Sequence, residues 1–168
     1  TIAPSNDAGI QKKVDLCDFS DINYIGASFT NNPGGTIEIV GVSTAPTTVT
    51  HKRAEDKSYA VKDFYYKMSL GGTINRIENA NFSFMDANGI VLNNAPAVNT
   101  RNIRLENLES GSTSAAYLTA NGITHTFDNV YIETSSVKGI YNVAANNSIL
   151  TFRDYVRPAL PDKLSGGN

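Results

Sequence analysis

Thr100-Arg101-Asn102-Ile103-Arg104-Leu105 and Phe127-Asp128-Asn129-Val130-Tyr131-Ile132 share one order of residue types. An apolar residue or Thr stands first, a variable residue second and asparagine third; apolar, variable and apolar residues follow. Ile77-Glu78-Asn79-Ala80-Asn81-Phe82 repeats the order. Phe19-Ser20-Asp21-Ile22-Asn23-Tyr24 and Val61-Lys62-Asp63-Phe64-Tyr65-Tyr66 repeat it with aspartate in third place, and Phe152-Arg153-Asp154-Tyr155-Val156-Arg157 is a degenerate copy. The third positions are 42, 16, 23, 27 and 25 residues apart. The last three spacings agree with one another. The gap of 42 holds either two turns or one long loop around Ser43–Lys57, and the gap of 16 makes the Val61 copy the weakest.

The flanks repeat as well. An apolar residue recurs three places before the motif, as Leu16, Ile74 and Ile149. A second apolar run follows, often opened by glycine: Gly35–Ile39, Gly89–Leu92 and Gly139–Val143, with Ser114–Leu118 filling the same slot without one. Three short alternating strands per repeat of about 25 residues describe one coil of a parallel β-solenoid. Parallel strands lie about 4.8 Å apart, so one position in every coil forms a straight column. Asparagine tolerates a left-handed bend, and its amide both donates and accepts. Asp21, Asp63, Asn79, Asn102, Asn129 and Asp154 are therefore expected to form a ladder. In the preceding column, Lys62, Glu78, Arg101, Asp128 and Arg153 alternate in sign, as an outward salt-bridge ladder would.

Composition agrees. Asn, Gly, Ser and Thr make up 61 of 168 residues, and charged residues are only 18%. These small polar residues favour turns and strands over helices. The net charge of −2 gives no support to a nucleic-acid or membrane-surface role. No apolar run approaches the roughly 18 residues of a membrane span. Thr1–Asn6 carries neither a basic nor an apolar signal-peptide region. The missing initiator Met and the Leu164–Asn168 tail give the expectation that the chain is a piece of a longer protein. Cys17 is the only cysteine, which excludes an internal disulfide, and two histidines make a zinc site improbable. No phosphate-binding loop or nucleophile elbow is present.

Through the Ile77–Phe82, Thr100–Leu105 and Phe127–Ile132 motifs and their asparagine column, the chain resembles the right-handed parallel β-helix of the pectate-lyase-like superfamily. Its Ser/Thr/Asn-rich coils, without Trp or disulfide, are most similar to bacteriophage tailspikes. The fold expectation is an all-β, right-handed parallel β-helix of about five or six coils. Residues 1–13 would form an N-terminal cap or linker, residues 14–157 the β-helix, and residues 158–168 a C-terminal tail that leaves the stack at Pro158 and Pro161. The resemblance implies a homotrimer on a virion tail or other extracellular surface, binding bacterial surface polysaccharide and in many relatives cleaving it. The alternatives are a structural stalk without catalysis and a free polysaccharide lyase or glycoside hydrolase. No cofactor is implied.

Alternation within the strand after the ladder turns Arg104 and Glu106, and Tyr131 and Glu133, outward. Glu106 and Glu133 then share a column on adjacent coils, near the 5–5.5 Å separation of a retaining glycosidase pair. They are the catalytic candidates. Arg104, Tyr131 and Tyr141 are the substrate-binding candidates, through ion pairing and ring stacking. The bland reading is two solvated glutamates neutralised by Arg104. Tyr65 is also expected outward, Tyr24 and Tyr66 inward. Asp15, Asp18 and Asp21 read as an end cap rather than a metal site. His125 reads as structural, and His51 as part of a solvated polar loop.

Overall fold

The computed structural model describes residues 13–15, 27–51, 65–93, 100–109, 116–119, 121–133, 141–143, 148–153 and 163–166. Strands dominate them, and no helix occurs among them. In chain order the strands are β1 (Lys13–Asp15), β2 (Ala27–Asn31), β3 (Thr36–Val40), β4 (Thr47–Thr50), β5 (Tyr66–Leu70), β6 (Thr73–Ser83) and β7 (Met85–Leu92). There follow β8 (Thr100–Glu106), β9 (Ala116–Leu118), β10 (Thr124–Glu133), β11 (Tyr141–Val143), β12 (Ile149–Arg153) and β13 (Lys163–Gly166). No described helix is long and apolar enough to cross a membrane.

The protein is all-β and built from two parallel sheets. The first runs β1-β4-β6-β8-β10-β12, with β3 also on β6; the second runs β13-β11-β9-β7-β5-β2. From β4 onward the chain alternates between the sheets and advances one strand at each return. Between the sheets lies one core, in which Ile77, Phe82, Met85, Ile90, Leu92, Phe127 and Ile132 are fully buried.

The asparagine column is the hinge of the first sheet. Asn79, Asn102 and Asn129 all take positive φ, at 51°, 52° and 50°. Each breaks the strand alternation once, so residues on both sides of the bend face the same core. The Asn129 amide donates to Asn102 Oδ1 at 2.9 Å, and the Asn102 amide donates to Asn79 Oδ1 at 3.1 Å. The Asn79 amide ends the series on the Gly41 carbonyl at 3.1 Å. Beside it, Arg101 reaches Glu78 at 3.0 Å and Arg153 reaches Asp128 at 3.1 Å. Each exposed pair contributes about 0–1 kcal/mol.

Several expectations need correction. The Val61 copy does not supply the strand after the ladder. Its last residue, Tyr66, is buried as expected, but it pairs with Met85 at the opening of β5 in the second sheet. Thr47–Thr50 fills the place instead, with Thr47↔Ala80 and Val49↔Phe82. The column position of that pass is Gly41, which carries no amide to find in a sequence. A Cβ there would lie 2.2 Å from the Asn79 carbonyl oxygen, so the close approach of the two backbones requires glycine. Lys62, Asp63, the Phe19–Tyr24 copy and Asp154 lie outside the described residues, as does Tyr24.

Gly35–Ile39 is not a second-sheet strand either. Its residues form β3, which pairs with the first half of β6 through Thr36↔Thr73 and Ile37↔Ile74. Gly35 instead closes a tight turn by donating its N–H to the Asn32 carbonyl at 2.9 Å. Gly89, by contrast, does open the buried part of β7, at φ 62°. The tail also returns to a sheet. Lys163–Gly166 pairs with β11 through Tyr141↔Lys163 and Val143↔Gly166. Both prolines precede this strand, so neither has to donate within it. His51 is fully buried rather than solvated. It continues the period-two inward series of Thr47 and Val49, which outweighs the polarity of the run that follows.

The core holds a polar pair. Thr100 stands in the inward column of Ile77 and Phe127, and its Oγ1 lies 3.0 Å from His125 Nε2. The imidazole packs against Phe127 with ring centroids 4.8 Å apart. Burial pushes the His125 pKa down to about 4.

Two outcomes follow. Asn102→Ala removes two amide bonds and puts a Cβ-bearing residue without side-chain compensation at φ 52°, so urea denaturation should show a loss of about 1–2 kcal/mol. Asn102→Gly, which removes the same amide but relieves the φ, should lose less; no loss in the glycine variant would show that the ladder amides contribute nothing. For His125 the folded pKa lies below the unfolded value of about 6.5. The unfolded chain therefore binds the proton first, and stability is complete above about pH 6.5 and falls as pH drops through 4. The loss amounts to about 3 kcal/mol. His125→Gln should flatten that slope; parallel pH profiles in the two proteins would reject the assignment.

Candidate functional site

The strand halves that follow the asparagine bend are Ala80–Ser83, Ile103–Glu106 and Val130–Glu133. Their apolar residues Ala80, Phe82, Ile103, Leu105, Val130 and Ile132 are buried. The intervening residues Asn81, Arg104 and Tyr131 align across the sheet and are half-buried. The alternation that makes the core thus also produces one straight outward row. Its spacing is set by the strands, about 4.8 Å per step.

Arg104 links this row to the next. Its Nε donates to Glu106 Oε1, and its guanidinium carbon sits 4.0 Å from the centroid of the Tyr131 ring. The arrangement is a carboxylate, a planar cation and an aromatic face held in series on two strands. At an exposed position the cation–π contact contributes about 0.5–1 kcal/mol. Glu106 and Glu133 are in register on β8 and β10. The Glu133 side chain lies outside what is described. Towards the earlier passes the same column changes character. Ser83 is buried, and its hydroxyl donates to Thr50 Oγ1 at 2.8 Å.

Tyr141 is not brought to this site. It lies in β11 of the second sheet, paired with Ala116, which itself pairs with Ile90. Both partners are buried, so the register gives no support to an outward Tyr141, whose side chain is itself outside the described set. Tyr117, half-buried on β9, holds the next register position, with Val91 and Asn142. Asp18 and Asp21 fall outside the described residues, as does the Asp15 side chain. Among the described residues, no three His, Cys, Asp or Glu side chains are gathered as a metal site.

A second bend adjoins the candidate row. Phe84 and Asn107 follow Ser83 and Glu106, at φ 63° and 48°. The Phe84 N–H donates to the Glu106 carbonyl at 3.2 Å, which fixes it beside the carboxylate strand. Asparagine suits this conformation; for phenylalanine it costs about 1–2 kcal/mol. The Phe84 ring is half-buried and lies 6.5 Å from that of Tyr65, tilted by 42°. Tyr65 was expected outward and is half-buried. Phe84 escapes a reading of the sequence because nothing in Asn81-Phe82-Ser83-Phe84 signals a positive φ at its last residue.

Next to Phe84, β7 opens with a bulge. Tyr66 pairs with Met85 and Met68 with Ile90, which leaves Asp86–Gly89 standing out from the ladder. Glu109 ties the bulge down by accepting the Ala87 N–H at 2.9 Å, while Asp86 accepts the Asn88 N–H at 3.1 Å. No family model, curated protein or solved structure matches this chain.

Proposed function

We propose that the two sheets are walls of a right-handed parallel β-helix of about five or six coils. We further propose that the chain is a module of a bacteriophage tailspike-type host-recognition protein that binds bacterial surface polysaccharide. The winding from sheet to sheet and the positive-φ asparagine column support the first statement. One observation carries the second: Asn81, Arg104 and Tyr131 form a rigid, half-exposed row in which an amide, a guanidinium and an aromatic face are presented at strand spacing. Such a row matches a chain of sugar rings, each of which offers hydroxyls to polar groups and a C–H face to an aromatic ring. Trimer formation on a virion tail or cell-surface fibre belongs to the same reading.

A second reading, depolymerase activity, rests on the register of Glu106 with Glu133. Two carboxylates on adjacent strands are near the spacing of a retaining pair. Arg104 occupies one Glu106 oxygen, which supports binding over attack on an anomeric carbon. A stalk without any ligand is the third reading.

Binding of the purified chain to arrayed capsule and O-antigen polysaccharides tests these readings together. The Arg104→Ala/Tyr131→Ala double variant should lose at least tenfold in affinity with its thermal midpoint nearly unchanged. A trimer by light scattering that binds no glycan would favour the stalk, and a monomer would count against both tailspike and stalk. If reducing ends are released, Glu106→Gln should abolish that release; release that survives it removes Glu106 from the chemistry.

A further inference from the structure

Phe84 is held in a backbone conformation that resists it, and it is not a member of the described core. Among the described residues the core cluster runs from Ile37 to Ile132, with Phe29 and Leu150 packed against it; Phe84 belongs to neither group. Bulky residues kept at positive φ without a packing return are characteristic of positions selected for what the side chain presents. What Phe84 presents is a ring, paired with Tyr65 and fixed by its N–H to the Glu106 carbonyl. Across the stack Phe84 stands two strand spacings from Tyr131, about 10 Å, and along the chain three residues past Asn81, the residue in register with Arg104 and Tyr131.

Among the described residues, the charges close to Phe84 in the chain and in register are the carboxylates of Asp86, Glu106 and Glu109 and the cations Arg104 and Lys67. Arg104 is already engaged by Glu106. The balance is acidic. That balance disfavours an anionic sugar and suits the hydroxyls of an uncharged one.

We infer that Phe84, with Tyr65, is a stacking plate for an uncharged pyranose ring and extends the polysaccharide site two coils beyond Tyr131. The inference rests on the polysaccharide-binding reading above and adds to it a subsite and a class of sugar.

Phe84→Asn tests it, because asparagine relieves the backbone while removing the ring. The probes are soluble polysaccharides: dextran, mannan and galactan as uncharged chains, polygalacturonate and polysialate as acidic ones. The wild-type chain should bind an uncharged member and not the acidic ones. Phe84→Asn should weaken that binding at least tenfold while raising the thermal midpoint by about 2–4 °C. Phe84→Trp, which keeps an aromatic ring at the same position, should retain binding, and loss of binding in it would also overturn the inference. Unchanged binding in Phe84→Asn, a lowered midpoint in that variant, or preference for the acidic chains would each overturn the inference. If Arg104→Ala/Tyr131→Ala abolishes binding and Phe84→Asn does not, only the subsite falls. A wild-type chain that binds no glycan on this panel or on the arrays removes the polysaccharide reading and the subsite with it.

Discussion

An asparagine amide can bridge two passes of this chain only because parallel strands lie about 4.8 Å apart and the same residue recurs at the same bend. Asn79, Asn102 and Asn129 meet both conditions. Their positive φ turns the strand, and their amides satisfy one another along the direction in which the strands stack. Neither feature suffices alone. Where the column position holds glycine, as at Gly41, no side chain passes the hydrogen bond onward, and the series stops on its carbonyl.

The column also fixes what lies on either side of it. Before the bend, register brings Glu78, Arg101, Asp128 and Arg153 into one line, and opposite signs meet in two described pairs. After the bend, register brings Asn81, Arg104 and Tyr131 into another. The first line is made of ion pairs that are individually weak in water. The second is made of groups whose partners leave part of each exposed. Where the core column breaks from apolar residues, at Thr100, the polar group finds His125 in the neighbouring strand. A polar pair buried between Ile77 and Phe127 disfavours any slip of one pass against the next, since a slip would leave both groups unsatisfied.

Much of this was legible in the residues, and the failures have physical causes. Recurrence of Asn at 23 and 27 residues was enough to place three ladder members, their inward neighbours and the outward Arg104 and Tyr131. The earlier pass escapes the sequence because its column position is Gly41 and its strand is Thr47–Thr50, whose threonines resemble loop residues. His51 was misread because the strand period carries burial one residue past the apolar signal. Gly35 looked like Gly89 in sequence, yet one closes a turn and the other opens a strand. Phe84 left no trace at all: the conformation at its position is set by the turn between two sheets, and asparagine occupies the corresponding place only in the next pass, as Asn107.

That last contrast bears on how a site can arise on so regular a scaffold. A repeated fold satisfies its own constraints with the residues best suited to them, and Asn107 is suited to its bend in a way Phe84 is not. A departure toward a worse-suited residue needs a compensating interaction, and for Phe84 the core among the described residues does not supply it. The Arg104, Glu106 and Tyr131 cluster is a departure of a different kind. It involves no described backbone strain, and it neutralises most of its own charge. The two therefore suit complementary tasks. On the polysaccharide-binding proposal, the self-satisfied cluster would serve as a fixed, weakly polar rail and the strained aromatic as a point of grip. For a polymer ligand of that proposal both would matter, because a rail without a grip gives no register, and a grip without a rail gives no direction.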